Sequence, residues 1–212
     1  MVTVRWPCVV FDLDGTVADT IGLIIASYDH ALNNVLGHRP DPRQVRTWIG
    51  RTLRATFGEQ WPGHVDELVD TYRAWNRANA PRLIAGYPGV PELVADLAAA
   101  GITAGIATSK GREAAVETLQ LAGVDLPVTV AMEDTALHKP NPEPILLALE
   151  RLGCTGPAVY VGDAVVDIEA ARAAGPDSIA VSWGAGDTDA LAAAAPTALA
   201  STIEELRTLL LG

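Results

Sequence analysis

The stretch Val9-Val10-Phe11-Asp12-Leu13-Asp14-Gly15-Thr16 sets two carboxylates two residues apart at the end of an apolar run. Aspartate is depleted in strands, and like charges this close repel unless a cation or shared chemistry holds them. In extended chain, residues i and i+2 share a face. Asp12 and Asp14 are therefore expected to converge at a strand's carboxyl end, where open α/β sheets bind ligands. An acidic helix cap followed by a turn is the structural alternative.

The chain beyond Pro91 supplies the sheet that such a strand needs. Helical periodicity over 91–100, 112–122, 144–152 and 166–174 alternates with strand-like runs at 102–107, 128–132, 158–161 and 178–182. Gly101, Gly123, Gly153 and Gly175 stop the helices. A last helix, 201–211, carries Ser201 and Glu204 at capping-box spacing. Such alternation predicts a doubly wound, mostly parallel Rossmann-like α/β sheet with helices on both faces. Residues 18–82 differ, with helical pieces at 21–36, 43–49, 51–57 and 65–79 and no strand pattern. They read as a four-helix cap inserted into a core made of residues 1–17 and 83–212, with hinges near Ala18 and between Arg82 and Pro88. There is no internal repeat, and no low-complexity tract beyond the Ala-rich segment from Leu191 to Ala200.

Three more signatures follow the first in a fixed order. Ile106-Ala107 runs into Thr108-Ser109-Lys110-Gly111, and His138-Lys139-Pro140-Asn141-Pro142 holds a lysine in a proline-rich turn. Ala158-Val159-Tyr160-Val161 ends in Gly162-Asp163, with Asp167 four residues on. Together the four signatures resemble the sequence motifs of the haloacid dehalogenase-like hydrolase superfamily, from Val9 to about Gly184. Most members of that superfamily are magnesium-dependent phosphatases. Phe11 to Thr20 and the small helical (C1-type) cap look most like the phosphoglycolate phosphatase group, although Ala18, Thr20 and Ser109 depart from its usual residues.

The resemblance implies roles. Asp12 would be the nucleophile, forming an aspartyl-phosphate, and Asp14 the general acid and then base. Mg²⁺ would be held by the side chains of Asp12 and Asp163 and the carbonyl of Asp14, with Asp167 in support. Lys139 would hold Asp12 and the phosphate, Thr108 would donate to a phosphoryl oxygen, and Gly15, Thr16 and Ser109 would complete the phosphate site. Lys110 is left as a supporting or entrance residue. Arg46, Arg51 and Arg54 could reach the substrate from the cap or line an exposed helical face. A phosphosugar mutase is the alternative within the superfamily, although familiar sugar mutases use a cap lysine and residues 18–82 contain none. The same absence weighs against phosphonate cleavage, and Asp14 weighs against metal-free dehalogenation. Outside enzymes, a catalytically silent binding or regulatory relative is the other reading.

Composition narrows the partners. The 212 residues are 49% hydrophobic and 19% charged, which suits a well-buried globular chain. A net charge of −11 argues against nucleic acid or an anionic membrane as partner; a small phosphorylated metabolite is the partner that the resemblance implies. Oligomeric state, monomer or homodimer, stays open. Thirteen of the basic residues are arginines and only Lys110 and Lys139 are lysines, both inside the signatures. The opening residues Met1–Cys8 lack a signal-peptide pattern, so a cytoplasmic protein is expected. Cys8 and Cys154 are read as separate small buried hydrophobes. The four histidines, His30, His38, His64 and His138, show no zinc spacing.

Overall fold

The computed structural model describes residues 5–212; Met1–Val4, part of the stretch read for a signal peptide, lie outside the described residues. The chain runs β1 (Cys8–Phe11), β2 (Ala18–Asp19), α1 (Ile21–Leu36), α2 (Pro42–Arg46), α3 (Leu53–Gln60), α4 (Val65–Leu83), β3 (Ala85–Gly86) and α5 (Val90–Ala99). It continues through β4 (Thr103–Ala107), α6 (Arg112–Ala122), β5 (Val128–Val130), α7 (Glu143–Arg151) and β6 (Ala158–Gly162). Then come α8 (Val165–Ala174), β7 (Asp177–Val181), α9 (Thr188–Ala193), β8 (Ala198–Ala200) and α10 (Ile203–Leu211).

Six strands form one parallel sheet in the order β5-β4-β1-β6-β7-β8. All four residues of β1 are buried, as a central strand covered on both faces requires. Because β4 lies on one side of β1 and β6 on the other, the chain reverses its winding direction there. The carboxyl ends of these three strands surround the crevice where α/β sheets bind ligands. The fold is the Rossmann-like sheet with flanking helices that the alternating pattern predicts.

Between β2 and β3, which pair antiparallel, the chain builds a separate helical cluster. Its centre is Tyr28, whose ring lies 5.2 Å from Trp48, 5.3 Å from Phe57 and 5.0 Å from Tyr72. Gly37 ends α1 in the left-handed conformation (φ 64°) that glycine adopts without steric cost. Ala185, from the sheet side, is buried as part of this cluster.

Three details differ from the sequence reading. The Ala-rich segment 191–200 contains the end of α9 and strand β8; alanine has too little hydropathy contrast to reveal either. The cap of α10 is Thr202, whose hydroxyl accepts from the Glu205 amide at 3.1 Å, so the capping pair is one residue later than Ser201 and Glu204. Cys8 and Cys154 are joined in a disulfide, with Cα atoms 6.1 Å apart. Their separation of 146 residues hid this. Parallel strands β1 and β6 lie side by side with Cys8 opposite Ala158, which brings the turn before β6 to the start of β1.

Candidate active site

Each strand end delivers one signature. Asp12 follows β1 and is anchored by its amide to the Val161 carbonyl of β6 at 2.8 Å. Thr108 follows β4, with its amide on Val130 of β5 at 3.0 Å. Asp163 follows β6, and Asp167 sits in the first turn of α8. Lys139 comes from the turn before α7, where the Lys139–Pro140 bond is cis. Asp12, Asp163, Asp167, Lys139, Thr108 and Thr16 are all buried.

Lys139 is the hub. Its Nζ donates to Asp12 Oδ1 at 2.8 Å, to Asp167 Oδ1 at 2.6 Å and to the Tyr160 hydroxyl at 3.0 Å. An ammonium has three protons, so every donor is used. Tyr160 passes its own proton to the Ala107 carbonyl at 2.9 Å, tying the end of β4 to Lys139. The two acidic neighbours hold the Lys139 ammonium well above the ordinary lysine value despite its burial. Burial raises Asp12 to about 7 against the pull of Lys139, and it raises Asp163 well above the carboxylate range, helped by Asp167 and Asp12.

Asp163 is held by the Ala185 amide at 2.6 Å and the Thr16 hydroxyl at 3.3 Å. Its carboxylate fits only because Gly15 (φ 81°) and Gly184 pass against it; a Cβ at either would overlap Oδ2. Asp167 Oδ2 takes the Ala164 amide at 3.0 Å. Asp14 turns the other way, into the cleft, where Lys110 Nζ lies 2.5 Å from its Oδ1. Lys110 thus touches an acid of the first signature directly instead of standing at the entrance.

These residues could hold a divalent cation. Carboxylate oxygens of Asp12, Asp163 and Asp167 lie within 4.8 Å of one another, all buried. With Asp14 they set four carboxyl groups around two ammoniums, Lys110 and Lys139. Hard oxygen donors suit Mg²⁺.

The other expected residues are placed less uniformly. Thr108 Oγ1 accepts from the Lys110 amide at 3.1 Å, and Thr108 lines the cleft beside Asp12 and Asp14. The Ser109 hydroxyl donates to the Gly50 carbonyl of the helical cluster at 2.8 Å, away from the carboxylates. Of the three cap arginines only Arg51 lines the cleft. Arg46 donates to the Gly184 carbonyl at 3.2 Å, and Arg54 pairs with Asp66 at 2.8 Å. Tyr160, Arg73 and Arg77 escaped the sequence reading. Arg73 and Arg77 stand one turn apart on α4, a spacing that exposed helices share, and nothing in that spacing marks the pair.

Residues 9–181 match the haloacid dehalogenase-like hydrolase family. The chain belongs to that family. It is 35% identical over 205 residues to the pyrophosphatase PpaX of Bacillus velezensis, covering 95% of each chain. A predicted phosphatase from Clostridium acetobutylicum superposes with a TM-score of 0.83 at 25% identity, over 96% of this chain and 97% of that one. A hydrolase from Pseudomonas syringae, at 23% identity, shares the fold with a TM-score of 0.85 over 95% and 96% of the two chains. This haloacid dehalogenase-like protein is therefore an enzyme, one of the family's phosphatase-type hydrolases. No helix among the described residues is long and apolar enough to cross a membrane.

Proposed function

We propose that the protein is a Mg²⁺-dependent phosphatase of small phosphorylated metabolites, phosphoglycolate-like monoesters, that works through an aspartyl-phosphate on Asp12. The observation that carries this reading is the buried bridge Asp12–Lys139–Asp167 beside Asp163, with Asp14 facing the open cleft. Residues 18–82 are proposed to act as the cap over residues 1–17 and 83–212.

In this reading Asp12 Oδ forms a bond to phosphorus as the bond to the leaving oxygen breaks. Asp14 delivers a proton to that oxygen. Water then attacks phosphorus, Asp14 takes its proton, and the bond to Asp12 breaks to release phosphate. Lys139 fixes the position of Asp12 and shares one of its three donors with a phosphoryl oxygen as charge develops there. Thr108 donates its hydroxyl proton to another, with the backbone amides around Gly15, Thr16 and Ser109 completing the site. Asp12 and Asp163 would hold Mg²⁺ by their side chains and Asp14 by its carbonyl, with Asp167 in support. The ion, when bound, offsets the repulsion between the phosphoryl group and the carboxylates.

The similarity to a pyrophosphatase favours a second reading of the substrate, inorganic pyrophosphate, for which the same residues would serve. The site of action is proposed to be cytoplasmic. The test is phosphate release from phosphoglycolate and from pyrophosphate, with Mg²⁺ and with EDTA, for the wild type and Asp12→Asn. Release that needs Mg²⁺ and drops about a thousandfold or more in the variant supports the reading. Full release in EDTA, or by Asp12→Asn, would contradict it.

A further inference from the structure

The cleft beyond Asp12 and Asp14 has a volume of about 360 Å³ and walls of opposite sign. The α4 side carries Arg73 and Arg77, with Arg51 beside them, while the sheet side carries Glu113, Glu117 and Glu133. Most of these charges are already engaged. Arg51 pairs with Glu59 at 2.6 Å, Arg77 with Glu113 at 3.1 Å, and Glu133 accepts from the Arg112 amide at 3.1 Å. Lys110 is engaged by Asp14. Arg73 is the cleft arginine with no ion pair among the described residues. It stands one helical turn from Arg77, whose guanidinium Glu113 already engages.

We propose that Arg73 recognises a second anionic group on the leaving portion of the substrate, a carboxylate or a second phosphoryl group. The inference rests on the phosphatase reading and adds the substrate's charge pattern to it. A guanidinium fork matches both kinds of anion with paired hydrogen bonds. On the opposite wall Glu117 and Glu133 repel an anion placed against them. Asp12, Asp14 and Arg73 line the same cleft, so a phosphoryl group at Asp12 and a second anion at α4 would share it. A neutral tail leaves Arg73 unmatched, and a cationic tail is drawn to Glu117 instead.

The test uses three monoesters that share a two-carbon frame: phosphoglycolate with an anionic tail, ethyl phosphate with a neutral one and phosphoethanolamine with a cationic one. Pyrophosphate is measured beside them. For the wild type, kcat/KM for phosphoglycolate or pyrophosphate should exceed that for ethyl phosphate by about tenfold or more, as expected for a charge-assisted contact. In Arg73→Ala that ratio should collapse by about tenfold. The same discrimination should appear in equilibrium binding of phosphoglycolate and ethyl phosphate to Asp12→Asn protein, with and without Arg73→Ala. A ratio unchanged by Arg73→Ala, or a preference for phosphoethanolamine, overturns the proposal. Wild-type protein that hydrolyses none of the four compounds defeats the phosphatase reading, and the binding ratio still decides the role of Arg73.

Discussion

Tyr160 shows how one hydroxyl can govern a buried charge. It accepts the third proton of Lys139 and donates to the Ala107 carbonyl, so it sets where the ammonium points and ties it to the strand that presents Thr108. Tyr160→Phe keeps the ring and removes both bonds. A positioning role predicts a fall in kcat of about tenfold with KM within about twofold, because the loss is felt as charge develops on the phosphoryl group. A lowered melting temperature with kcat unchanged would mean that the hydroxyl serves packing alone. The same scale explains what the sequence could reveal of the site. Asp12, Asp14, Lys139 and Asp163 stand in motifs whose order along the chain is informative. Tyr160 stands two residues before a motif glycine in a strand, where an apolar residue is the ordinary expectation. Its contact with Lys139 crosses a fold that a one-dimensional pattern does not encode.

At the scale of elements, glycine stops and apolar periodicity located most helices and strands to within a residue or two. Helix Arg112–Ala122 follows its predicted bounds, and β7 spans Asp177–Val181 where 178–182 was expected. The reading failed where side chains carry little contrast, as in Ala198–Ala200 of β8. It slipped by one residue at α10 because Ser201 and Thr202 are both competent caps. Thr202 accepts the Glu205 amide at 3.1 Å, while Ser201 contributes its own amide to the Glu205 carboxylate at 2.6 Å. Thr202→Ala should therefore cost about 1 kcal/mol, a drop of about 2–4 °C in melting temperature for a chain of this size. Ser201→Ala should change it far less. Equal effects of the two substitutions would refute the assignment of the cap.

Over the whole molecule the acidic excess is spread widely, and only a small part of it lies at the site. A net charge of −11 includes four carboxylates gathered around two ammoniums at the sheet's carboxyl edge. Asp12 is raised from 3.8 to about 7 and Asp163 is raised with it, chiefly by burial. Between those two values the metal-free folded chain holds a proton on Asp12 that the unfolded chain has lost. Its stability therefore falls as pH rises through that window. A bound cation takes the place of the protons, so its stabilising effect grows as pH rises. Protein in EDTA should melt at a higher temperature at pH 6 than at pH 8, and added Mg²⁺ should raise the midpoint more at pH 8. An equal Mg²⁺ effect at both values would count against cation binding at the Asp12–Asp163–Asp167 cluster. Long-range closure was the least legible feature at this scale. The Cys8–Cys154 bond joins segments that the parallel sheet brings together, and the Ser109–Gly50 contact joins the loop after β4 to the helical cluster; neither proximity is encoded in the local sequence.

The central claim is that Asp12 carries the phosphoryl group during turnover, and acid-quenched peptide mapping tests it most directly. Wild-type protein mixed with Mg²⁺ and a turned-over phosphoester, quenched within one turnover and digested, should yield the peptide containing Asp12 with the added mass of one phosphoryl group. The adduct should vanish in Asp12→Asn. A phosphoryl group on another residue, or rapid turnover with no adduct at any quench time, would contradict the account.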